Sequence, residues 1–260
     1  MNRPRFFRCW ILLAALATVP SEQARAGAWL REPGEVYAKL GLSRQTADRL
    51  FGAKSNKRLP TAELTDDAVD FYAEYGLHPR WTSVASLSLR RMEREANGPS
   101  VENAGPADLW LFAKRGLLTA PFVLSTQFGV KLPLGYSKRA TVPLGDGQID
   151  YEGRVLVGKS VGRAYGGAEI GYRKRNGDLS DQLPFRIETG VSLTSQVLLT
   201  LSLDGIENRT NDAAGTTPLD RRAANIFDKE YMNFSPGVKS NGSSLNRPMT
   251  SSCVVVRFCI

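Results

Sequence analysis

From residue 35 onward, apolar and polar residues alternate one by one through most of the chain. The stretch 184–205, PFRIETGVSLTSQVLLTLSLDG, shows the pattern twice, on either side of a short polar turn. Successive side chains of a β-strand point to opposite faces, so this period predicts strands with one apolar and one polar side. Because every apolar side must be kept from water, the chain is constrained to an all-β fold with two chemically different surfaces.

The alternation predicts ten strands that follow one another in the chain. They lie at about 35–45, 67–77, 80–92, 107–117, 121–133, 147–160 and 164–175, then twice within 184–205, and at about 229–238. The longer strands have about 10–13 residues, which exceeds the usual globular strand and suits a tilted strand that crosses hydrocarbon with about 9–11 residues.

The connections between these strands alternate in length. Short turns near residues 78, 119, 163 and 195 alternate with long polar segments at 46–66, 93–106, 134–146, 176–183 and 206–228. Outer-membrane barrels have short periplasmic turns and long external loops, whereas β-propellers repeat at a similar spacing with shorter strands. The pattern therefore predicts an antiparallel up-and-down transmembrane β-barrel of about 10–12 strands.

The two faces of the predicted strands differ in composition. Aromatic residues lie near the ends of the apolar face, as in interfacial girdles: Phe71, Trp81, Phe122, Tyr151, Tyr172 and Phe185. The opposite face mixes charged with small residues, which leaves room for water or solute inside a barrel. Charged residues on three consecutive strands are candidates for a lumen or selectivity site: Asp150, Glu152, Arg154, Glu169, Arg173, Arg186 and Glu188. They form either a salt-bridged wall that stiffens the barrel or a constriction that selects solutes, and both roles are compatible.

The first 26 residues have the features of a bacterial secretory signal peptide. Arginines at positions 3, 5 and 8 precede an apolar stretch at 9–19, and Ala24-Arg25-Ala26 forms a small-x-small cleavage site. We expect a signal peptide at 1–26, an outer-membrane barrel at 27–238 and an atypical tail at 239–260. The expected location is the cell outer membrane of a Gram-negative bacterium, with the barrel-assembly machinery and membrane lipid as partners.

The sequence contains few residues that are suited to catalysis or cofactor binding. His78, the only histidine, lies in a short turn predicted on the periplasmic side, whereas a barrel hydrolase needs its histidine near the outer leaflet. Only Cys253 and Cys259 follow the signal peptide, so soft-metal sites are disfavoured. Asp146-Gly147 does not match the spacing of a calcium loop and indicates a loop-to-strand transition. We expect no catalytic residue, no cofactor and no metal.

The sequence also bears on three other function classes: nucleic-acid binding, lipid hydrolysis and soluble binding in the periplasm. The formal net charge of +8 is spread along the chain without basic clusters that alternate with aromatics, so nucleic acid is not an expected partner. A barrel enzyme that acts on outer-leaflet lipid is one alternative, and a lipid deacylation assay tests it. A soluble periplasmic β-sandwich with a binding role is another, and cell fractionation tests it.

Three stretches resemble a known family. They are YGLHPRWTSVASLSLRR (75–91), PLGDGQIDYEGRVLVGKSV (143–161) and GGAEIGYRKRNGDLSDQLPFRIETGVSLTSQVLLTLSLDG (166–205). They resemble the bacterial outer-membrane group named for the meta-pathway of phenol degradation, which is loosely related to fatty-acid and aromatic uptake barrels. The resemblance covers about residues 27–238. It implies a passive channel or transporter for small solutes, aromatic or apolar ones among them, and no catalytic residues.

The tail departs from this family pattern. A barrel of this kind ends in an amphipathic strand with a final aromatic residue, but no alternation is found at 239–252, and Val254-Val255-Val256 follows unbroken. Our hypothesis is that a changed reading frame or a rearranged gene end replaced the last two strands. We predict that another frame of the DNA past codon 239 encodes two alternating strands with an aromatic end. The hypothesis is dropped if neither alternative frame does so.

Overall fold

The computed structural model describes residues 27–52, 55–95, 100–137, 140–177, 179–194, 197–209, 231–240 and 250–258. The protein is all-β over these residues. The strands are β1 (Val36–Gly52), β2 (Ser55–His78), β3 (Trp81–Glu95), β4 (Val101–Leu118), β5 (Val123–Pro133), β6 (Asp150–Val161), β7 (Ala164–Arg175), β8 (Asp181–Ser192), β9 (Val197–Arg209), β10 (Tyr231–Ser240) and β11 (Thr250–Phe258). Among the same residues, no helix has the length and apolarity needed to cross a membrane.

Strands β1 to β10 form an antiparallel up-and-down sheet in which each strand pairs with its neighbours in the chain. The sheet curves into a half-barrel, which confirms the predicted fold class. In the sheet register, Ala113 of β4 pairs with Phe128 of β5, and Phe128 also pairs with Gly153 of β6. A face that is apolar on one strand therefore continues across its neighbours.

Two connections predicted as long loops are largely strand. Segment 46–66 continues β1 to Gly52 and resumes in β2 at Ser55, and segment 93–106 is shortened from both sides by β3 and β4. An antiparallel ladder is held by backbone hydrogen bonds, so polar residues without clear alternation can extend a hairpin whose register is already set. Side-chain periodicity therefore underestimated the lengths of the strands in these two hairpins.

The last described strand breaks the up-and-down order. β11 pairs with β1 in the parallel direction, from Val36 with Thr250 to Arg44 with Phe258. The sequence predicted no strand from 239 to 252, and the structure has β11 at 250–258. An unpaired strand edge leaves backbone groups without partners, and the valine run has high β-propensity, which explains why this segment covers the edge of β1.

The convex face of the half-barrel is apolar and exposed. Phe128 is 65% exposed and Ile170 is 59% exposed, although both are large hydrophobic residues in the middle of strands. Further exposed apolar residues on this face are Leu42, Phe71, Leu89, Leu111, Tyr151, Val155, Tyr172, Ile187, Leu201 and Phe234. On β2 they run from Phe71 to Leu77, about 20 Å along the strand at 3.3 Å per residue. An exposed apolar surface that continues across neighbouring strands is rare on soluble monomers and marks a contact surface.

The concave face carries the polar residues, as the alternation predicts. Its buried charged residues include Glu74, Lys114, Lys131, Asp150, Glu152 and Glu188. Two additional segments lie against this face. Residues 27–35, which precede β1, are called the plug below. Residues 134–137 and 140–149, from the connection between β5 and β6, are called the strap.

Candidate functional site

Charged side chains from β6 and β7 form an ion-pair network on the concave face. Arg154 donates to Glu152 and, over 2.9 Å, to Glu169. Arg173 Nε donates to the second carboxylate oxygen of Glu152 over 2.6 Å. The Glu152 side chain is fully buried, so two guanidinium groups offset the cost of removing its charge from water.

A second pair continues the network on β8. Arg186 donates to Glu188, which also accepts a hydrogen bond of 2.6 Å from the Tyr165 hydroxyl of β7. Six of the seven residues predicted as lumen candidates thus lie together in paired rows. The seventh, Asp150, belongs to a different cluster at the strap.

Aromatic rings on β4 lie beneath the guanidinium groups. The rings of Trp110 and Phe112 are stacked, with centroids 5.3 Å apart. The Arg173 guanidinium lies 4.6 Å from the Trp110 centroid, and that of Arg154 lies 5.8 Å from the Phe112 centroid. Each arginine therefore combines an ion pair with a cation–π contact, which fixes the plane of its guanidinium. Period-2 alternation places Trp110 and Phe112 opposite Leu111, but they were not singled out from the sequence.

The strap is held by a buried ion cluster near the long-loop ends of the strands. Lys131 of β5 lies 2.6 Å from Asp146 and 2.6 Å from Asp150, and 3.8 Å from Asp108. Arg175 of β7 donates to Asp146 over 2.7 Å. The sequence indicated only a loop-to-strand transition at Asp146. In the structure, this residue anchors the strap to two strands.

Apolar packing holds the other part of the strap. Val142 and Leu144 are buried against Met92 of β3 and Ala107 of β4. The Asn103 amide donates to the Val142 carbonyl over 2.9 Å. The strap therefore crosses from β5 and β6 toward β3 and β4, over the concave face at its long-loop end.

Two titratable strap residues are locked in the states that favour these contacts. Burial opposes the charge of Asp146, but Lys131 and Arg175 outweigh it and hold the pKa of that carboxyl below its usual range. Burial, together with the hydrogen bond to Asp108, raises the pKa of Tyr136 far above its usual value. Because the pKa of Asp146 is lowered on folding, its contribution to stability is present above the usual carboxyl pKa and is lost as the pH falls through the lowered value.

The plug occupies the short-turn end of the concave face. Lys114 Nζ of β4 donates to the carbonyl oxygens of Gly27 and Trp29 over 2.9 and 3.2 Å, and to Glu74 over 2.8 Å. The Arg31 side chain donates to the other oxygen of Glu74 over 2.7 Å. Glu74 and Lys114 are each 1% exposed, so the ion pair that links plug and wall is fully buried.

An aromatic cluster covers the inner side of the plug. Trp29 meets Tyr165 of β7 edge to face, with centroids 6.0 Å apart. Tyr165 packs in turn with Tyr37 of β1 and Leu198 of β9. Residues from well-separated strands meet here, so the inner part of the plug, with buried Ala28 and Arg31, lies within the curve of the sheet, whereas residues 32–34 are exposed.

A cavity of about 410 Å³ lies between the plug and the level of the strap cluster. On β5, Gln127 lines the cavity, whereas Lys131, four residues nearer the long-loop end, holds the strap. The charged residues that line it are Lys39, Asp70, Arg154, Glu169, Arg186 and Glu188, and the aromatic ones are Tyr37, Tyr72, Phe112 and Tyr165. We call this cavity the chamber. Its volume lies in the lower part of the range of small-molecule sites.

Other residues considered from the sequence lie apart from the chamber. His78 is exposed in its turn, where its Nδ1 accepts a hydrogen bond of 3.3 Å from the Arg80 backbone. Across the described part of the chain, no cluster of three or more histidine, cysteine, aspartate or glutamate residues could hold a metal ion. The expected signal peptide at 1–26, most of loop 206–228 and parts of the 239–260 tail lie outside the described residues.

Comparison with known proteins adds no family to this geometry. No family model matches the chain, and no curated protein is similar to it at a significant level. The function must therefore be argued from the chamber, the plug, the strap and the convex surface.

The strap cluster leads to a stability prediction. Replacing Lys131 with methionine leaves Asp146 and Asp150 buried beside a single arginine, so we expect a loss of about 3–5 kcal/mol in the free energy of unfolding. Arg91→Met removes an arginine from an ion pair with Glu102 in which both side chains are about half exposed, and we expect no measurable loss. Guanidinium unfolding of both proteins in detergent micelles checks this, and equal stabilities would contradict the assigned role of Lys131.

Proposed function

We propose that this protein is an outer-membrane β-barrel that serves as a passive, non-enzymatic route for small solutes. The chamber is the observation that carries the proposal: a polar, charge-lined cavity on the inner face of a sheet whose outer face is apolar. Aromatic or apolar solutes remain the expectation drawn from the family resemblance, and the aromatic rings of the chamber are compatible with them. Export by a signal peptide and insertion by the barrel-assembly machinery are part of the same proposal.

The composition of the convex surface supports the proposal that this face contacts membrane lipid. Exposed leucine, valine, isoleucine and phenylalanine side chains would destabilise a water-facing surface, whereas acyl chains solvate them well. At the short-turn end, Arg115 lies 5.6 Å from the centroid of the exposed Trp81 ring. Aromatic and basic residues at the border of an apolar band are typical of a membrane–water interface.

The charges of the chamber support the passage of small polar or weakly charged solutes. Three cationic residues and three anionic residues line it: Lys39, Arg154 and Arg186, and Asp70, Glu169 and Glu188. Opposed charges create a transverse field while leaving little net charge to repel either sign of ion. We therefore propose weak charge selectivity with a strong limit on solute size.

Liposome swelling tests the proposed function. The full-length protein reconstituted into liposomes should accelerate swelling in small sugars or amino acids, and the effect should fall steeply as the solutes become larger. Protein-free liposomes and liposomes with heat-denatured protein are the controls. Absence of acceleration with every solute would contradict a transport role.

The proposed lipid contact leads to a second prediction. An arginine at Ile170, near the middle of the apolar band, should reduce the free energy of unfolding in lipid vesicles by about 2–4 kcal/mol. The same residue at Val161, which is 68% exposed against 59% for Ile170 but lies at the short-turn end of β6, should reduce it by about 0–1 kcal/mol. Urea unfolding of the two variants measures the difference, and equal losses would argue against a membrane around this face.

Ion selectivity of the chamber provides a third prediction. Glu169→Gln removes a negative charge from the chamber wall, so the zero-current potential in a KCl gradient should shift toward anion preference. Lys39→Gln removes a positive charge and should shift it toward cation preference. Planar-bilayer recordings measure both shifts. Shifts of the same sign, or no shift in either variant, would show that ions do not pass beside these residues.

A further inference from the structure

Glycines on three strands form recesses into which the plug fits. A Cβ atom at Gly158 of β6 would lie 2.6 Å from the Trp29 ring, and one at Gly116 of β4 would lie 2.6 Å from Leu30 Cδ1. A Cβ at Gly76 of β2 would overlap the Glu32 carbonyl. Real Cβ atoms do not approach other atoms so closely, so a larger residue at any of these positions would force the plug, or the plug side chain that it meets, to shift. We call Gly76, Gly116 and Gly158 the sockets.

A left-handed backbone conformation does not explain the socket glycines, and Gly76 and Gly116 lie beside irregularities in the strand register. Positive φ angles occur at other glycines, such as Gly162 in the β6–β7 turn, but none is found at the three sockets. Glycine in the interior of a strand weakens the strand, and it often marks a close approach of another part of the chain. Here the approaching part is the plug: Gly158 faces Trp29, Gly116 faces Leu30, and Gly76 faces the backbone of Arg31 and Glu32.

The plug is held by contacts that can be released without unfolding the sheet. Backbone hydrogen bonds join Gly34 and Glu35 to Gly76, at the base of the plug next to β1. Further in, Lys114 binds two plug carbonyls, Thr82 Oγ1 accepts from the Arg31 backbone, and Glu74 binds the Arg31 side chain. These inner contacts are made by side chains of the wall, so the ladder between neighbouring strands does not depend on them.

The buried charges that hold the plug remain paired when the plug leaves. Glu74 binds both Lys114 of the wall and Arg31 of the plug. If Arg31 departs, Glu74 keeps its ion pair with Lys114, and neither charge is left buried without a partner.

We propose that residues 27–35 are a releasable plug that closes the short-turn end of the chamber, and that undocking from the three glycine sockets opens this end to solutes. This inference rests on the proposed transport function, because an opened end matters only if solutes pass. In the docked state, Gly27 lines the chamber, and Trp29 packs against the cluster of Tyr37 and Tyr165, which also line it. A minor undocked population is then the conducting state, and its size sets the permeation rate.

The first experiment fills one socket and measures the position of the plug. Gly158→Leu should exclude Trp29 and displace the plug, while Gly166→Leu is the matched control, because a Cβ at Gly166 meets no atom within 4 Å. Both changes are made in a full-length protein whose native cysteines are serine and which carries Ala28→Cys as a reporter. Ala28 is 1% exposed when docked, so a water-soluble maleimide should label the reporter slowly. We expect labelling about tenfold faster or more with Gly158→Leu, the ratio that corresponds to about 1.4 kcal/mol.

The second experiment locks the plug reversibly. Leu30 Cγ lies 3.3 Å from the Cβ position at residue 116, which is within the reach of a disulfide between Leu30→Cys and Gly116→Cys. Oxidation of this double variant should abolish liposome swelling, and reduction of the same sample should restore it. Each single cysteine variant, treated with the same oxidant, is the control. Because one sample is measured in both states, a folding defect cannot produce the reversible change.

The outcomes separate the plug from the transport function. Faster reporter labelling with faster swelling in Gly158→Leu, and reversible closure by the disulfide, support the inference. Equal labelling rates of the Gly158→Leu and Gly166→Leu proteins overturn the inference, and so does an unchanged rate of liposome swelling when the plug is locked. In both cases the transport function stands if liposomes with the wild-type protein swell faster than protein-free liposomes. If neither the wild type nor any variant accelerates liposome swelling, the proposed function and the gating step are both overturned. The labelling rates still report whether the plug docks.

Discussion

The structure depends on one constraint: the two faces of a continuous antiparallel ladder must remain chemically different over ten neighbouring strands. Side chains alternate between faces at every residue, so a shift of one residue in any pairing would place apolar groups on the polar side. The observed register keeps Ala113, Phe128 and Gly153 on one surface. It simultaneously brings Lys114, Gln127 and Arg154 to the other surface. Apolar exterior and charged interior are therefore two results of the same alignment.

Charged residues on the concave face are tolerated because they form ion pairs, and the paired side chains also fill part of the interior. Glu152, Glu74 and Asp146 each bind two cationic groups, which offsets the cost of burying them. The three clusters lie at different heights along the strands. One anchors the plug, one lines the chamber wall and one anchors the strap, so the interior is divided into compartments by electrostatic contacts more than by apolar packing.

The sequence was sufficient to predict β1 to β10 and their faces, because both follow from a local period, whereas β11 and the extensions of β1 to β4 have no such period. The charged rows on β6, β7 and β8 were also predictable, since residues of one face on paired strands must be neighbours. The plug and the strap were not predicted. Residues 27–35 and 134–149 have no period, and their positions depend on contacts between residues distant in sequence, such as Lys114 with Gly27 and Met92 with Leu144. Glycines at 76, 116 and 158 were the available signal, but a glycine in a strand does not reveal what approaches it.

The most direct test of the account is the environment of alternate residues along one strand. Single spin labels at positions 124 to 131 of β5, in full-length protein with its native cysteines replaced by serine and reconstituted into lipid, report collisions with oxygen and with a water-soluble nickel complex. Labels at Leu124, Thr126, Phe128 and Val130 should favour oxygen, and those at Ser125, Gln127, Gly129 and Lys131 should not. Two faces that are equally accessible to the nickel complex, or an alternation in the opposite phase, would contradict a lipid-facing exterior and a polar interior.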